Sequence, residues 1–470
     1  MSEVRDQRQG GDFVSASMTR TKTPEGGHSG PPKRGLEKLA AVGDGVQTEL
    51  GCLPADWRVD RFDSVFDVQQ GRQVSKGNRV GDNQRPFLRT KNVFWNRLDL
   101  ADLDEMHFSE ADESRLALKP DDLLICEGGD IGRTAIWRGL ISRCYYQNHL
   151  HRARIRDPKT ADAQFVLFWF WYAFDFGHLY FGRGNVTTIP NLSQSKLREL
   201  PLAIPTLPEQ RKIAEVLGLV QRAIEQQERL IALTAELKKA LLHQLFTQGL
   251  RGEPPKQTEI GPVPESWEVV TLSDVAKLQS GGTPARDKPE YWTAGDIPWV
   301  KTSEIDYCVI RMTEERITRE GLANSAAKVF PKGTLLIAMY GQGVTRGRVG
   351  LLGIDAATNQ ACAAITPRDE QKVSTRFIYH FLEFHYEDLR QMGHGANQRN
   401  LNAALIKGFR LSFPKPDEQA QIVEALDILN AKLTLHQSKH AALTSLFRTL
   451  LHQLMTAQLR VHKLALPELA

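Results

Sequence analysis

Apolar residues fall at Ile422, Leu426, Leu429, Leu433, Leu443, Phe447, Leu450 and Leu454, in alternating steps of four and three that His436 and His440 carry across the middle. This is the period of a coiled-coil seam. Moving each position back by 209 gives Ile213, Leu217, Val220, Ile224, Gln227, Ile231, Thr234, Lys238, Leu241 and Leu245, again mostly apolar with polar residues near the middle. The pattern predicts two long helices, within 207–247 and 415–460, whose seams span about 36 residues, or roughly 54 Å at ~1.5 Å per residue. Pro208, and Pro414 with Pro416, stand beside Glu209, Asp417 and Glu418, as suits a helix N-terminus. The two seams suit each other, an antiparallel pairing would put the LLHQL end of each helix near the start of the other, and the polar mid-seam residues would fix register at some expense of stability. A leucine stripe also serves as ordinary core, and that reading stands beside the coiled coil. FVLFWFWYAF at 165–174 is about half the length a membrane helix needs, so it reads as a buried core helix.

The remainder of the chain repeats itself. ELGCLPADWRVDRFDSVFDVQQG (49–71) lies over EIGPVPESWEVVTLSDVAKLQSG (259–281), matching Gly51 with Gly261, Pro54 with Pro264, Trp57 with Trp267 and Gly71 with Gly281. LLIC (123–126) faces LLIA (335–338), QNHL (147–150) faces NQAC (359–362), and GRGN (182–185) faces GHGA (393–396). PEQRKIAEVL (208–217) and DEQAQIVEAL (417–426) open the long helices, and LLHQL closes both. A frame kept at its ends and varied inside suggests two copies of one scaffold with different surfaces. The fold class is therefore α+β: two globular domains related by an internal pseudo-twofold repeat and separated by two long antiparallel helices. The expected boundaries are a disordered Gly/Ser/Pro-rich tail over 1–47, a first domain over 48–206, the first helix over 207–247 and a linker over 248–257. A second domain over 258–414, the second helix over 415–460 and a C-terminal tail over 461–470 complete the layout.

Composition narrows the class only a little. With 470 residues, 41% hydrophobic and 25% charged, the chain is long enough for two or three cored domains. A formal charge of +4 permits an anionic partner without demanding one. Cys52, Cys126, Cys144, Cys308 and Cys362 are far apart and odd in number, so neither a disulfide framework nor a zinc site is indicated, and a reducing cytoplasm fits. No secretory leader and no membrane segment are expected. His436 and His440 share a helix face but have no third ligand nearby, so a packed or solvated pair is the simpler reading and no metal is expected.

At this point the chain resembles the specificity (S) subunits of type I restriction-modification systems. The resemblance rests on LPADW (53–57) and VPESW (263–267), on LLICEGGDIGRTAI (123–136) and LLIAMYGQGVTRGRVG (335–350), and on the IPTLPEQRKI and FPKPDEQAQI openings of the long helices. It covers nearly everything after residue 48, twice; FPKPDEQ is a shortened form of the family's helix opening. It implies two target-recognition domains held apart by a coiled coil, each reading one half of a bipartite, asymmetric double-stranded DNA site. It also implies two methyltransferase subunits as partners, restriction subunits bound through them, and S-adenosylmethionine on the methyltransferase with no cofactor on this chain.

For DNA contact, Gly-rich loops with Arg, Lys, Asn and Gln bring backbone near phosphate and donors near base edges. The candidates are Arg72, Gln73, Lys76, Asn78, Arg79, Arg133, Arg183 and Asn185 in the first half. In the second they are Thr283, Arg286, Lys288, Arg346, Arg348, Asn397, Gln398 and Arg399. Trp95, Trp292 and Trp299 are either core or backbone-packing aromatics. No P-loop, NPPY-like or DPPY-like methyltransferase motif, HExxH or GxSxG is present, so no catalytic residue is assigned and the chain reads as a non-catalytic reader. Two other readings remain: the specificity reader of a different modification or defence assembly, and a duplicated coiled-coil adaptor that binds protein alone.

Overall fold

Residues 45–180, 191–341, 344–392 and 401–461 are described by the computed structural model. Each repeat forms a mixed α+β lobe that opens with a two-stranded hairpin, Gly45–Thr48 with Gly51–Pro54 and Pro255–Thr258 with Gly261–Pro264. In both hairpins the turn threonine ties down the chain, Thr48 Oγ1 donating to the Gly51 carbonyl at 2.7 Å and Thr258 Oγ1 to the Gly261 carbonyl at 2.8 Å. The hairpins revise two expected boundaries. Structure begins inside the stretch assigned to the tail, and the end of the expected linker is a strand, because QTELG (47–51) and QTEIG (257–261) are themselves part of the repeat.

Both lobes are built on the same antiparallel sheet. In the first, the order is Phe66–Gln70, Leu150–Ile155, Leu123–Cys126, Thr134–Ile136; in the second it is Ala276–Ser280, Cys362–Pro367, Leu335–Ala338, Val349–Leu352, with Val309–Ile310 added in parallel at the edge. The repeated glycines mark where another backbone crosses this sheet. A Cβ on Gly71 would lie 2.3 Å from the Gln147 carbonyl oxygen, and one on Gly281 would lie 2.0 Å from that of Thr358. No other side chain fits there. Each lobe is then closed by pairing its early and final strands, Arg58–Arg61 with Pro201–Ile204 and Glu268–Thr271 with Arg410–Phe413.

The final strands run almost directly into the long helices, Leu207–Gln248 and Pro416–Met455. At 42 and 40 residues these are longer than their seams alone required. They pair antiparallel: Arg460, just past the end of the second helix, reaches Glu209 at the start of the first, and Glu418 at the start of the second accepts from the Leu250 amide past the end of the first. Near the middle, His436 Nδ1 donates to Gln227 Oε1 at 2.9 Å across a sequence distance of 209. That distance is the repeat spacing, so two equivalent positions touch and the local twofold axis passes close to them.

Of the seam positions, Ile213, Leu217, Val220, Leu245, Ile422, Leu426, Leu429, Phe447 and Leu454 are buried; Ile224, Ile231, Leu241, Leu433, Leu443 and Leu450 are half-buried. Lys238 leaves the seam and pairs with Glu383 of the second lobe. His440 pairs with Glu228 at 3.2 Å. The ends of the rod belong to the lobe cores. Ile213, Leu217 and Val220 pack with Phe447, Leu451 and Leu454 in the core of the first lobe, whose helix Ala163–Trp171 is the buried apolar run read from the sequence. Leu242, Leu245 and Phe246 join Ile422 and Leu426 in the core of the second, around Thr375–Phe384.

One residue type fixes each lobe to its helix. Gln210, fully buried, accepts from the Asp162 amide at 2.9 Å and donates to the carbonyls of Thr160 at 3.0 Å and Pro205 at 2.9 Å. Gln419 repeats this, accepting from the Ser374 amide at 3.1 Å and donating to Lys372 at 2.8 Å and Pro414 at 2.9 Å. Each clamp joins the exit strand, the first turn of the long helix and the loop before the lobe helix. Replacing Gln419 with Leu orphans the buried Pro414 carbonyl and removes a partner from the part-buried Lys372 carbonyl and Ser374 amide, and a loss of about 2–4 kcal/mol is expected in chemical denaturation. Leu429→Asp puts an unpaired charge where the side chain is 7% exposed, and a loss of several (about 3) kcal/mol is expected; an unchanged melting temperature would show the seam is not buried.

Candidate nucleic-acid interface

The loops singled out from the sequence converge at one edge of each sheet. In the first lobe, Arg72 NH donates to the Tyr146 carbonyl at 3.0 Å, Asn148 NH to that of Arg72 at 2.8 Å, and Glu127 NH to that of His149 at 3.0 Å. The Leu192 amide, one residue after the described chain resumes, donates to the Glu127 carbonyl at 2.7 Å. The second lobe repeats the arrangement: Gly282 NH to Thr358 at 2.9 Å, Met339 NH to Ala361 at 2.8 Å, and Leu401 NH to Met339 at 3.1 Å. Three described loops thus meet at this edge in each lobe, with a buried leucine, Leu192 or Leu401, bonded to one of them.

The glycine turn is duplicated down to its arginine. Gly132, at φ 77°, and Gly347, at φ 86°, take the left-handed conformation glycine tolerates, and each precedes an arginine whose carbonyl pairs with the preceding strand. Arg133 sits 5.2 Å over the Phe94 ring, pairs with Asp130 and donates to the Thr90 carbonyl at 2.8 Å. Arg348 sits 5.9 Å over Tyr307 and pairs with Asp306 at 2.6 Å. An aromatic face and a carboxylate restrict each guanidinium.

Other candidates divide between tied and exposed groups. Arg72 contacts Asp112, donates to Asn78 Oδ1 at 3.1 Å and lies 5.7 Å from the Phe108 ring, while Asn78 donates to the Gln73 carbonyl at 2.8 Å. These two shape the loop, leaving Gln73, Lys76 and Arg79 exposed. In the second lobe Arg286 stacks 3.7 Å over Trp292, lies 4.9 Å from Trp299 and pairs with Glu315. Lys288 donates to the Tyr291 hydroxyl at 3.1 Å, Thr283 to the Gln360 side chain, and Arg346 to the Arg390 carbonyl at 3.1 Å. Arg183, Asn185, Asn397, Gln398 and Arg399 lie outside the described residues. Trp299 is core, 1% exposed, with its indole N–H donating to the Gly282 carbonyl at 2.9 Å. Trp95 stacks on Trp171 at 5.5 Å.

Sequence reasoning missed the acidic side of this surface. Glu113 holds Arg143, Asn83 and Arg85, and the Arg143 hydrogen bond above all brings its carboxyl down to about 2. It missed Gln210 and Gln419 as well, although the shared EQ of PEQ and DEQ was the available signal. Burial pushes the Cys126 thiol up to about 11 and the Cys144 thiol up to about 12, and lowers His151, whose Nε2 lies 2.9 Å from the Leu192 carbonyl. Among the described residues no three His, Cys, Asp or Glu side chains are grouped to hold a metal ion, and no helix is long and apolar enough to cross a membrane.

Comparisons with known proteins agree with this architecture. Residues 54–235 and 264–445 match the type I restriction modification DNA specificity domain, one copy per repeat. The putative type I restriction enzyme MjaX specificity subunit of Methanocaldococcus jannaschii is 22% identical over 426 residues, covering 88% of this chain and 96% of that protein. The MjaIX specificity subunit of the same organism is 29% identical over 36% of this chain and 39% of its own length. The EcoR124I/EcoR124II specificity subunit of Escherichia coli is 26% identical over 51% of this chain and 56% of its length. Among solved structures, the S subunit of the type I restriction-modification system of M. genitalium shares the fold, with a TM-score of 0.58 at 17% identity over 85% of this chain and 96% of that one. Two such domains, each seated on one end of an antiparallel helical rod, place the chain in the family of type I restriction-modification specificity subunits.

Proposed function

We propose that this chain is the non-catalytic DNA-reading subunit of a type I restriction-modification enzyme, binding a bipartite, asymmetric double-stranded site. The observation that carries this reading is the twofold rod with one lobe at each end. Leu217 and Leu245 mark the two lobe cores on one helix, roughly 42 Å apart at ~1.5 Å per residue. That is on the scale of one helical turn of DNA, about 34–36 Å, so opposed lobes suit opposed half-sites. The loop edges differ in side chains, the first offering Gln73, Lys76 and Arg79 and the second Arg286 and Lys288, so the half-sites differ in sequence.

The rod supports a second part of the reading, that two methyltransferase subunits bind this chain, carry S-adenosylmethionine and connect it to restriction subunits. Leu219, Leu237, Ile428 and Leu446 are large apolar residues left 41–56% exposed on the long helices. Leu219 and Ile428 are repeat equivalents, as are Leu237 and Leu446, so the rod shows the same apolar feature twice about its twofold axis. Two like copies of a helical partner fit that arrangement. The adaptor reading shares the exposed leucines but gives no role to the duplicated arginine turns.

Co-expression with a type I methyltransferase subunit is expected to give a stable complex with S-adenosylmethionine-dependent methylation of a split site, visible in methylome sequencing. A complex that methylates no DNA would favour the adaptor. Exchanging residues 267–410 for another reader domain is expected to change one half-site and leave the other; a change in both would contradict independent reading. Leu237→Asp with Leu446→Asp is expected to weaken methyltransferase binding at least ~10-fold while the melting temperature holds, since both side chains face solvent.

A further inference from the structure

The two places where a lobe helix meets the rod are equivalent by repeat but opposite in chemistry. In each lobe a capping side chain, Asp162 or Ser374, accepts from the amide of Phe165 or Phe377, which sets the two lobe helices in register. In that register Phe168 corresponds to His380 and Trp171 to Glu383. On the rod, Phe447 corresponds to Lys238 and Gly218 to Asp427.

The first joint is aromatic. Phe447, 4% exposed, has its ring centroid 5.0 Å from Trp171 and 6.0 Å from Phe168. The second is ionic. Lys238, 7% exposed, pairs with Glu383; Glu383 lies 3.5 Å from His380 Nδ1; His380, fully buried, places Nε2 3.0 Å from Asp427; and Asp427 meets Arg376 at 2.9 Å. Burial opposes ionisation of Glu383 and of Asp427, but the neighbouring His380, with Lys238 beside one and Arg376 beside the other, holds both below their usual values. A chain of polar and charged side chains therefore crosses from the first long helix, through the lobe helix, to the second.

We propose that these joints form a matched key, in which the first lobe accepts only the rod end carrying Phe447 and the second only the end carrying Lys238, fixing the order of the lobes on a near-symmetric rod. The two long helices are similar enough in seam and length that apolar packing alone discriminates poorly between the correct pairing and one in which each helix meets a second copy of itself. In such a pairing the Phe168–Trp171 face would receive Lys238 and the Glu383–His380 face would receive Phe447. The first would bury an ammonium without a counter-ion and the second would take from the buried Glu383 its lysine, each costlier than the matched joint. Lys238 and Phe447 are thus the residues by which each rod end is recognised, and their effect is independent of whether DNA is the ligand.

Hydrogen exchange on the full chain tests this, because each lobe is the internal control of the other. Lys238→Phe is expected to reduce amide protection in 375–384 by more than about tenfold and to leave 163–171 unchanged. Phe447→Lys is expected to do the reverse. Adding Trp171→Glu to Phe447→Lys moves the ionic key into the first lobe and is expected to recover most of the lost protection, which a purely packing role of Phe447 would not allow. Where Phe447→Lys unfolds the chain, the volume-conserving pair Lys238→Glu and Glu383→Lys decides: each alone is expected to lose protection and the two together to regain it. Single variants without loss, or double variants no better than their singles, would overturn the proposal.

Discussion

Every part of this molecule depends on apolar burial that neither a lobe nor a helix completes alone. The core of the first lobe is closed by the beginning of one long helix and the end of the other, with Leu217 and Leu454 in the same cluster. The second lobe is closed in the same way by Leu245 and Ile422. Each helix therefore has two obligations, one to the lobe that precedes it and one to the lobe at the far end. Removing either lobe would expose both halves of a seam. This mutual dependence makes two separate domains and a hairpin of helices into one mechanical object, and the buried glutamines hold the corners where strand becomes rod.

Much of this was legible in the sequence because it is periodic or repeated. A seam with steps of four and three is visible wherever side-chain volume matters at every turn, whereas the antiparallel sense is fixed by contacts remote in sequence, Arg460 with Glu209 and Leu250 with Glu418. The residues that escaped depend on partners remote in sequence. Lys238 occupied a seam position, and only the placement of Glu383, 145 residues away, shows that its ammonium turns toward the lobe. Arg72 and Arg133 had the composition of a binding loop, yet Asp112 and Asp130 engage them within the lobe. No local pattern records whether a cation is already satisfied. The first hairpin was missed for a different reason: a four-residue strand carries too few alternating positions to stand out from a polar tail.

The described chain also closes on itself. Arg460 pairs with Asp56 in the loop that opens the first lobe and with Glu209 at the head of the first long helix, which in turn accepts from the Trp57 indole. The second lobe is opened and closed by its own hairpin and by Glu418 at the corresponding corner. Both ends of the rod are thus finished by a glutamate at a helix N-terminus, where the backbone dipole favours it, receiving the tail of the neighbouring helix.

Between these two finished ends lies a stretch with thinner packing. Around Gln227 and His436 the facing side chains are only half-buried, and a single polar contact sits on the symmetry axis. A bar clamped firmly at both ends and slender at its waist twists before it stretches. Thermal motion will therefore alter the rotational phase between the lobes more readily than the span separating them, much as two hands on a wrung cloth keep their distance while turning.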